Sequence, residues 1–174
     1  MWHYRGLTGA GEAPGCLGKY SGRLLVLGGA RCVWEDYSEA IKEPIKADVM
    51  MVNDVGMYAQ KPFQHWVSLH PDHMTLWKTL LKNHNQTVNC MTHTQKNHRD
   101  HVSWNINNFG LYSGLFAAQV GLGLGYQEII LCGVPMDGTG RFFDPPWYNN
   151  VRAGNDATAD STPPRGCVGI CLVT

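Results

Sequence analysis

The most strongly patterned stretch of the chain is 112–137. Leu115, Phe116, Val120 and Leu124 recur near the helical period, which predicts a helix opening at Ser113-Gly114. Ala117, Ala118, Gly121 and Gly123 keep the other side of that helix thin, so that a sheet can approach closely. Gly125 suits the position just past the helix, where glycine takes a left-handed conformation without steric cost. Glu128–Cys132 is then a continuous apolar run of the kind buried on both faces of a parallel sheet, and it ends at Gly133.

The same alternation of buried strand and helix runs through the first half. Arg23–Leu27 reads as a strand, followed by the turn Gly28-Gly29-Ala30-Arg31 and a short helix to Ala40 carrying Val33, Trp34 and Tyr37. A second strand spans Ala47–Val52 and ends in Asn53-Asp54, set apart from the helix by Pro44. A third covers 66–69 and runs into His70-Pro71-Asp72, where Pro71 suits a first helical position and Asp72 the helix dipole. That helix extends to about Lys82, with Met74, Trp77, Leu80 and Leu81 facing inward. A weaker fourth strand is placed at 87–91, ending at Thr92-His93, and 94–111 shows no clear element. Alternating strands and helices predict an α/β fold: a three-layer, Rossmann-like, mostly parallel sheet of five strands in the order 3-2-1-4-5. Residues 1–151 form one nucleotide-binding domain in this reading. The small, polar segment 152–174 is expected to be a disordered tail.

Composition narrows the functional classes. Fourteen basic and fourteen acidic residues cancel, which argues against a broad nucleic-acid or anionic-membrane footprint. No apolar run approaches the roughly 20 residues of a membrane span, and the amino terminus lacks a signal-peptide layout. Cys32, Cys90 and Cys132 fall in or beside strands as small hydrophobes, so a reducing cytoplasm is the expected location. Eight histidines are numerous for this length and should raise the net charge below about pH 6.5.

Open α/β sheets bind ligands beyond the carboxyl ends of their strands, where strand order reverses. The residues expected there are Gly28, Gly29, Arg31, Asn53, Asp54, His70, His93, Ser113, Gly114, Gly133 and Asp137. Gly28, Gly29 and Ser113 would meet phosphate through backbone N–H groups, Arg31 would neutralise it, Asn53 would read ribose or base, and Asp54, Gly114 and Gly133 would line the ligand beside them. Glycine serves packing in such turns as readily as it serves a ligand, and a serine at position 113 suits a helix cap equally well. His70 or His93 would act as general base, with Asp137 positioning substrate. Asp54 and Asp137 could share a divalent cation on a ligand's phosphates. No protein-held metal is expected, because the histidine groups around 65–73 and 93–101 lack metal-site spacing. Gly9-Ala10-Gly11 hints at a dinucleotide fingerprint, but no strand precedes it and Pro14 stands where a third glycine belongs.

The segment SGLFAAQVGLGLGYQEIILCGVPMD is similar to a stretch of bacterial sialyltransferase-like proteins: Ser-Gly, apolar helix, Leu-Gly-Tyr, Glu-Ile, strand, Gly. LLVLGGARCVWEDYSEA, followed by ADVMMVND, resembles the first two strands of that group, and motility-accessory glycosyltransferase-like proteins share the layout. The likeness covers roughly 23–57 and 110–144. It implies a glycosyltransferase-like protein whose Gly28, Gly29 and Asn53 contact a cytidine-type nucleotide or nucleotide-sugar. Two departures bear on catalysis. Gly29 stands where the family has an asparagine, and no histidine follows His101, although the family's general base lies beyond the last strand. Segments like His70-Pro71-Asp72-His73 and 133–137 are also similar to short phage or prophage proteins, a likeness that implies no activity. The expected partner is a small nucleotide ligand, in the host cytoplasm if the chain is phage-encoded. A non-catalytic nucleotide binder and a structural virion component are the alternatives, and self-association is left open.

Overall fold

A computed structural model describes residues 15–44, 46–95, 99–106, 112–134 and 141–143, and the backbone of 169–172. The strands are β1 (Arg23–Leu27), β2 (Ala47–Val52), β3 (His65–Ser68), β4 (Met91–Thr94), β5 (Val102–Ser103), β6 (Glu128–Cys132) and β7 (Gly169–Leu172). The helices are α1 (Val33–Ala40), α2 (Pro71–Asn83) and α3 (Ser113–Leu124), with a 3-10 helix at Asn53–Tyr58. They form one seven-stranded sheet in the order β5-β4-β3-β2-β1-β6-β7. Every pairing is parallel except β6 with β7. The protein is thus α/β, three-layered and Rossmann-like.

Alternating side chains assign the layers. Leu24, Val26, Met50, Val52, Val67 and Ile129 pack with Phe116, Val120 and Leu124 of α3. Leu25, Leu27, Met51, Trp66 and Ile130 pack on the other face with Val33 of α1 and Met74 and Leu81 of α2. The thin side of α3 does what its small residues suggest: a Cβ on Gly121 would stand 2.7 Å from Leu24 and 2.9 Å from Ile129. Gly125 ends the helix at φ 108°.

Several expectations need correcting. The fourth strand is Met91–Thr94 rather than 87–91, and it lies outside β3 rather than beside β1. The order 3-2-1-4-5 assumed that the chain doubles back after its third strand. It goes on in the same direction through β4 and the two-residue β5, and only the connection carrying α3 returns to β1. The sheet therefore has seven strands instead of five. Gly169–Leu172, inside the tail expected to be disordered, runs antiparallel along β6 and covers what would otherwise be its open edge. Leu80, expected to face inward, is 36% exposed, while Met74 and Leu81 are buried.

Candidate functional site

The turns after β1, β2 and β6 and the start of α3 meet on one side of the molecule. Gly28 donates its N–H to the Cys132 carbonyl at 2.8 Å, and Ala30 donates to the Gly133 carbonyl at 3.1 Å. A side chain on Gly28 would run into the Gly133 carbonyl oxygen and stand 2.7 Å from Val134. Gly114, at the start of α3, has no room for a Cβ against Val134 either. Gly133 sits at φ 63°, with Val33 closing the space a Cβ would need. Strand order reverses between β1 and β6, so this is the switch point. Backbone fills it there, and Gly28, Gly114 and Gly133 serve close packing.

Asp36 of α1, a residue the sequence reading passed over, lies beneath this turn. It is 1% exposed, its Oδ2 accepts the Gly133 N–H at 2.8 Å, and its Oδ1 has no hydrogen-bond partner among the described residues. The signal for it was weak: an acid in the first turn of a short helix reads as an ordinary partner of the helix dipole.

Asn53 and Asp54 follow β2 on the same side. Asn53 adopts φ 54°, its carbonyl accepts the Trp66 indole N–H at 2.6 Å, and its Oδ1 accepts the Ser68 hydroxyl at 3.0 Å. A ligand there would meet its amide N–H. Asp54, expected beside a shared cation, pairs with Arg141. The segment of Arg141 is stitched over the first turn by a bridge to Ala30 and by the Phe142 N–H donating to the Gly29 carbonyl at 3.0 Å. Gly29 has only an ordinary contact, 3.6 Å from its Cβ position to Val55. Arg31 and Ser113 are half-buried at the same end, and Asp137 lies outside the described residues.

The two candidate bases part company. His70 occupies the N-cap position of α2 without a side-chain cap bond, is exposed, and has its ring centroid 5.2 Å from that of His73 at a 40° tilt. His93 is not at a strand end. It sits inside β4 facing the α3 layer, with no exposed surface. There it belongs to a buried chain of hydrogen bonds whose direction the donors dictate. The Trp104 indole N–H can only donate, and it gives to His93 Nδ1 at 3.0 Å. His93 must then carry its proton on Nε2 and donate to His65 Nδ1 at 3.1 Å. His65 in turn donates from Nε2 to the Tyr126 oxygen at 2.9 Å, and Tyr126 donates to Asp48 at 2.6 Å. Burial holds His65 down to about 4 and, with His65 adding to it, His93 down to about 3. Tyr126 is held far above the usual phenol range, by burial first and then by the Asp48 carboxylate. A neutral imidazole sealed in the core cannot take a proton from a substrate, so His93 is a structural residue.

Truncating the middle of this chain should be costly. Tyr126→Phe leaves the His65 N–H and the Asp48 carboxylate without their partner, and should lower stability by about 1–3 kcal/mol in urea denaturation. Burial also raises the Cys90 thiol to about 11 and the Cys132 thiol to about 12, so both act as small hydrophobes.

Open space lies beside the switch point rather than in it. A cavity of about 400 Å³ over β1 and β2 is walled by Trp34, Tyr37 and Tyr58 and floored by Leu27, Val49 and Met51. A larger cleft of about 660 Å³ runs along α2, with Lys78, Thr79 and Lys82 among its lining residues. Among the described residues no three His, Cys, Asp or Glu side chains stand close enough to hold a metal ion, and no helix is long and apolar enough to cross a membrane.

Fold and site together define a Rossmann-like α/β protein with its loops gathered at the carboxyl ends of the parallel strands. No family model matches the chain, and neither a curated protein nor a solved structure does.

Proposed function

We propose that this protein binds a nucleotide or nucleotide-sugar at the carboxyl ends of β1, β2 and β6, in the manner of a glycosyltransferase-like domain. The observation that carries the reading is the convergence there of Gly29, Asn53 and the start of α3, with Arg141 laid across the first turn beside Asp54. First-turn N–H groups of a helix and a guanidinium are the groups a phosphate needs. The likeness of 23–57 to the first two strands of sialyltransferase-like proteins points to the same ligand class.

Melting curves recorded with CMP-, UDP-, GDP- and NAD-type compounds test it. A ligand at a hundred times its dissociation constant adds about 2.7 kcal/mol. For a chain of this length that raises Tm by roughly 5–10 °C. A panel in which no compound moves the transition removes the reading.

Turnover, if the protein has it, runs through His70, the candidate base that remains accessible. His70→Ala should then abolish release of free nucleotide from a nucleotide-sugar and leave binding intact. The burial of His93 favours a second reading, a binder without turnover, as an accessory protein of a phage would be. Binding without any nucleotide release in the wild-type protein would decide for it.

A further inference from the structure

We infer that the cavity between α1 and the loop at 58–62 is a ring-binding pocket, and that it takes the base of the nucleotide. This inference rests on the reading of the crevice given above, and adds where the ligand's ring goes.

The pocket exists because one crossover lacks its helix. Between β2 and β3 the chain makes only the 3-10 helix Asn53–Tyr58 and a short loop, so the layer holding α1 and α2 has a gap over β1 and β2. Leu27, Val49 and Met51 show through the gap as an apolar floor. Trp34 rises on one side from α1 and Tyr58 on the other, 37% and 46% exposed, and Tyr37 closes the wall beside Trp34. Large aromatic side chains left this open beside an apolar floor are poorly explained by core packing, because the fold gains most by covering them.

The volume and chemistry suit a flat heteroaromatic ring. About 400 Å³ lies within the range of small-molecule sites, roughly 300–1,000 Å³. The aromatic walls Trp34, Tyr37 and Tyr58 offer π-surfaces of the kind on which any base stacks, with Tyr58 also stacked at 5.2 Å on Phe143. The position suits a nucleotide in particular. Phe142 stands 5.4 Å from Trp34 and 5.1 Å from Tyr58, centroid to centroid, and the same residue's N–H holds the Gly29 carbonyl. The rim of the pocket and the first glycine turn are therefore one residue apart. Lys61 lines the pocket on its loop side, and Arg141, which precedes Phe142, is paired with Asp54. A ring held on these aromatic walls beside Phe142 would put its phosphate near the first glycine turn, with Lys61 on the loop side.

The test uses the full chain and a series of CMP, UMP, GMP and AMP. Calorimetric titration should find at least one nucleotide that binds the wild-type protein, and Trp34→Ala and Tyr58→Ala should each weaken it about tenfold or more. Tyr58→Phe, which keeps the aromatic face, should bind within about twofold of wild type. Bound nucleotide should quench tryptophan emission, and Trp34→Phe should bind yet lose most of that quenching. If both alanine variants bind as the wild type does, or quenching persists in Trp34→Phe, the base lies elsewhere and the inference falls while the crevice reading stands. If none of the four nucleotides binds the wild-type protein, the crevice reading falls and takes the pocket's assignment with it.

Discussion

Taking the protein from pH 7 to pH 5 should cost about 4 kcal/mol of folding stability through His65 and His93 alone. Both are held below the ordinary histidine value of 6.5, to about 4 and about 3, with burial as the main cause. The folded chain therefore keeps them neutral where the unfolded chain protonates them. Stability from this source is complete above pH 6.5 and is lost as pH falls below it, at about 1.4 kcal/mol per unit for each ring. Geometry gives the same answer. A second proton on His93 must go to Nδ1, which the Trp104 N–H occupies, and on His65 to Nδ1, which the His93 N–H occupies. Each protonation breaks a buried bond. The groups facing the pair are Tyr20, Tyr126 and Asp48, and the Asp48 carboxylate, which favours a charged His65, acts through Tyr126 and does not offset the burial.

Urea denaturation at half-unit steps from pH 8 to pH 5 measures the slope. His65→Gln/His93→Gln keeps polar partners but cannot titrate, and it should flatten the profile below pH 6.5. A wild-type slope no steeper than that of the double variant would show that the pair does not control acid stability. The eight histidines also read differently in this light: in the folded protein His65 and His93 add no charge on mild acidification.

The same pair shows why part of the molecule is illegible in sequence. Strands β1, β2 and β6 declare themselves because each is an apolar run long enough to be buried on both faces. Residues 91–94, Met-Thr-His-Thr, look like a polar loop, yet the last three are buried. What makes them a strand is distant: Thr92 bonds His101 at 2.8 Å, and His93 bonds His65 and Trp104. A pattern read along the chain weighs a residue by its own polarity and cannot see a partner 28 positions away. Pattern along the chain therefore places this strand three to four residues early and puts His93 at a strand end instead of in the core. Strand order failed for a related reason, because local pattern marks where a crossover occurs but not which way it steps. The carboxyl-end loops were legible, since glycine after a strand marks a turn whatever the order. What those glycines do there was not.

That last point yields the second large effect, because Gly28 and Gly29 read alike in sequence and should behave oppositely. Gly28→Ala forces a methyl against the Gly133 carbonyl oxygen and to within 2.7 Å of Val134, and backbone pinned by the Gly28–Cys132 and Ala30–Gly133 hydrogen bonds cannot yield. The expected cost is about 3 kcal/mol, a fall in Tm on the order of 10 °C. Gly29→Ala meets only Val55 at 3.6 Å, and Gly29 is not among the positive-φ glycines, so the melt should move by less than about 2 °C. A nucleotide titration of the same two proteins then separates packing from recognition. If the turn approaches a phosphate, Gly29→Ala should weaken binding with its stability intact, a combination that no loss of packing produces. Equal melting losses in both variants would mean that the contact with Gly133 is not what excludes a side chain at Gly28.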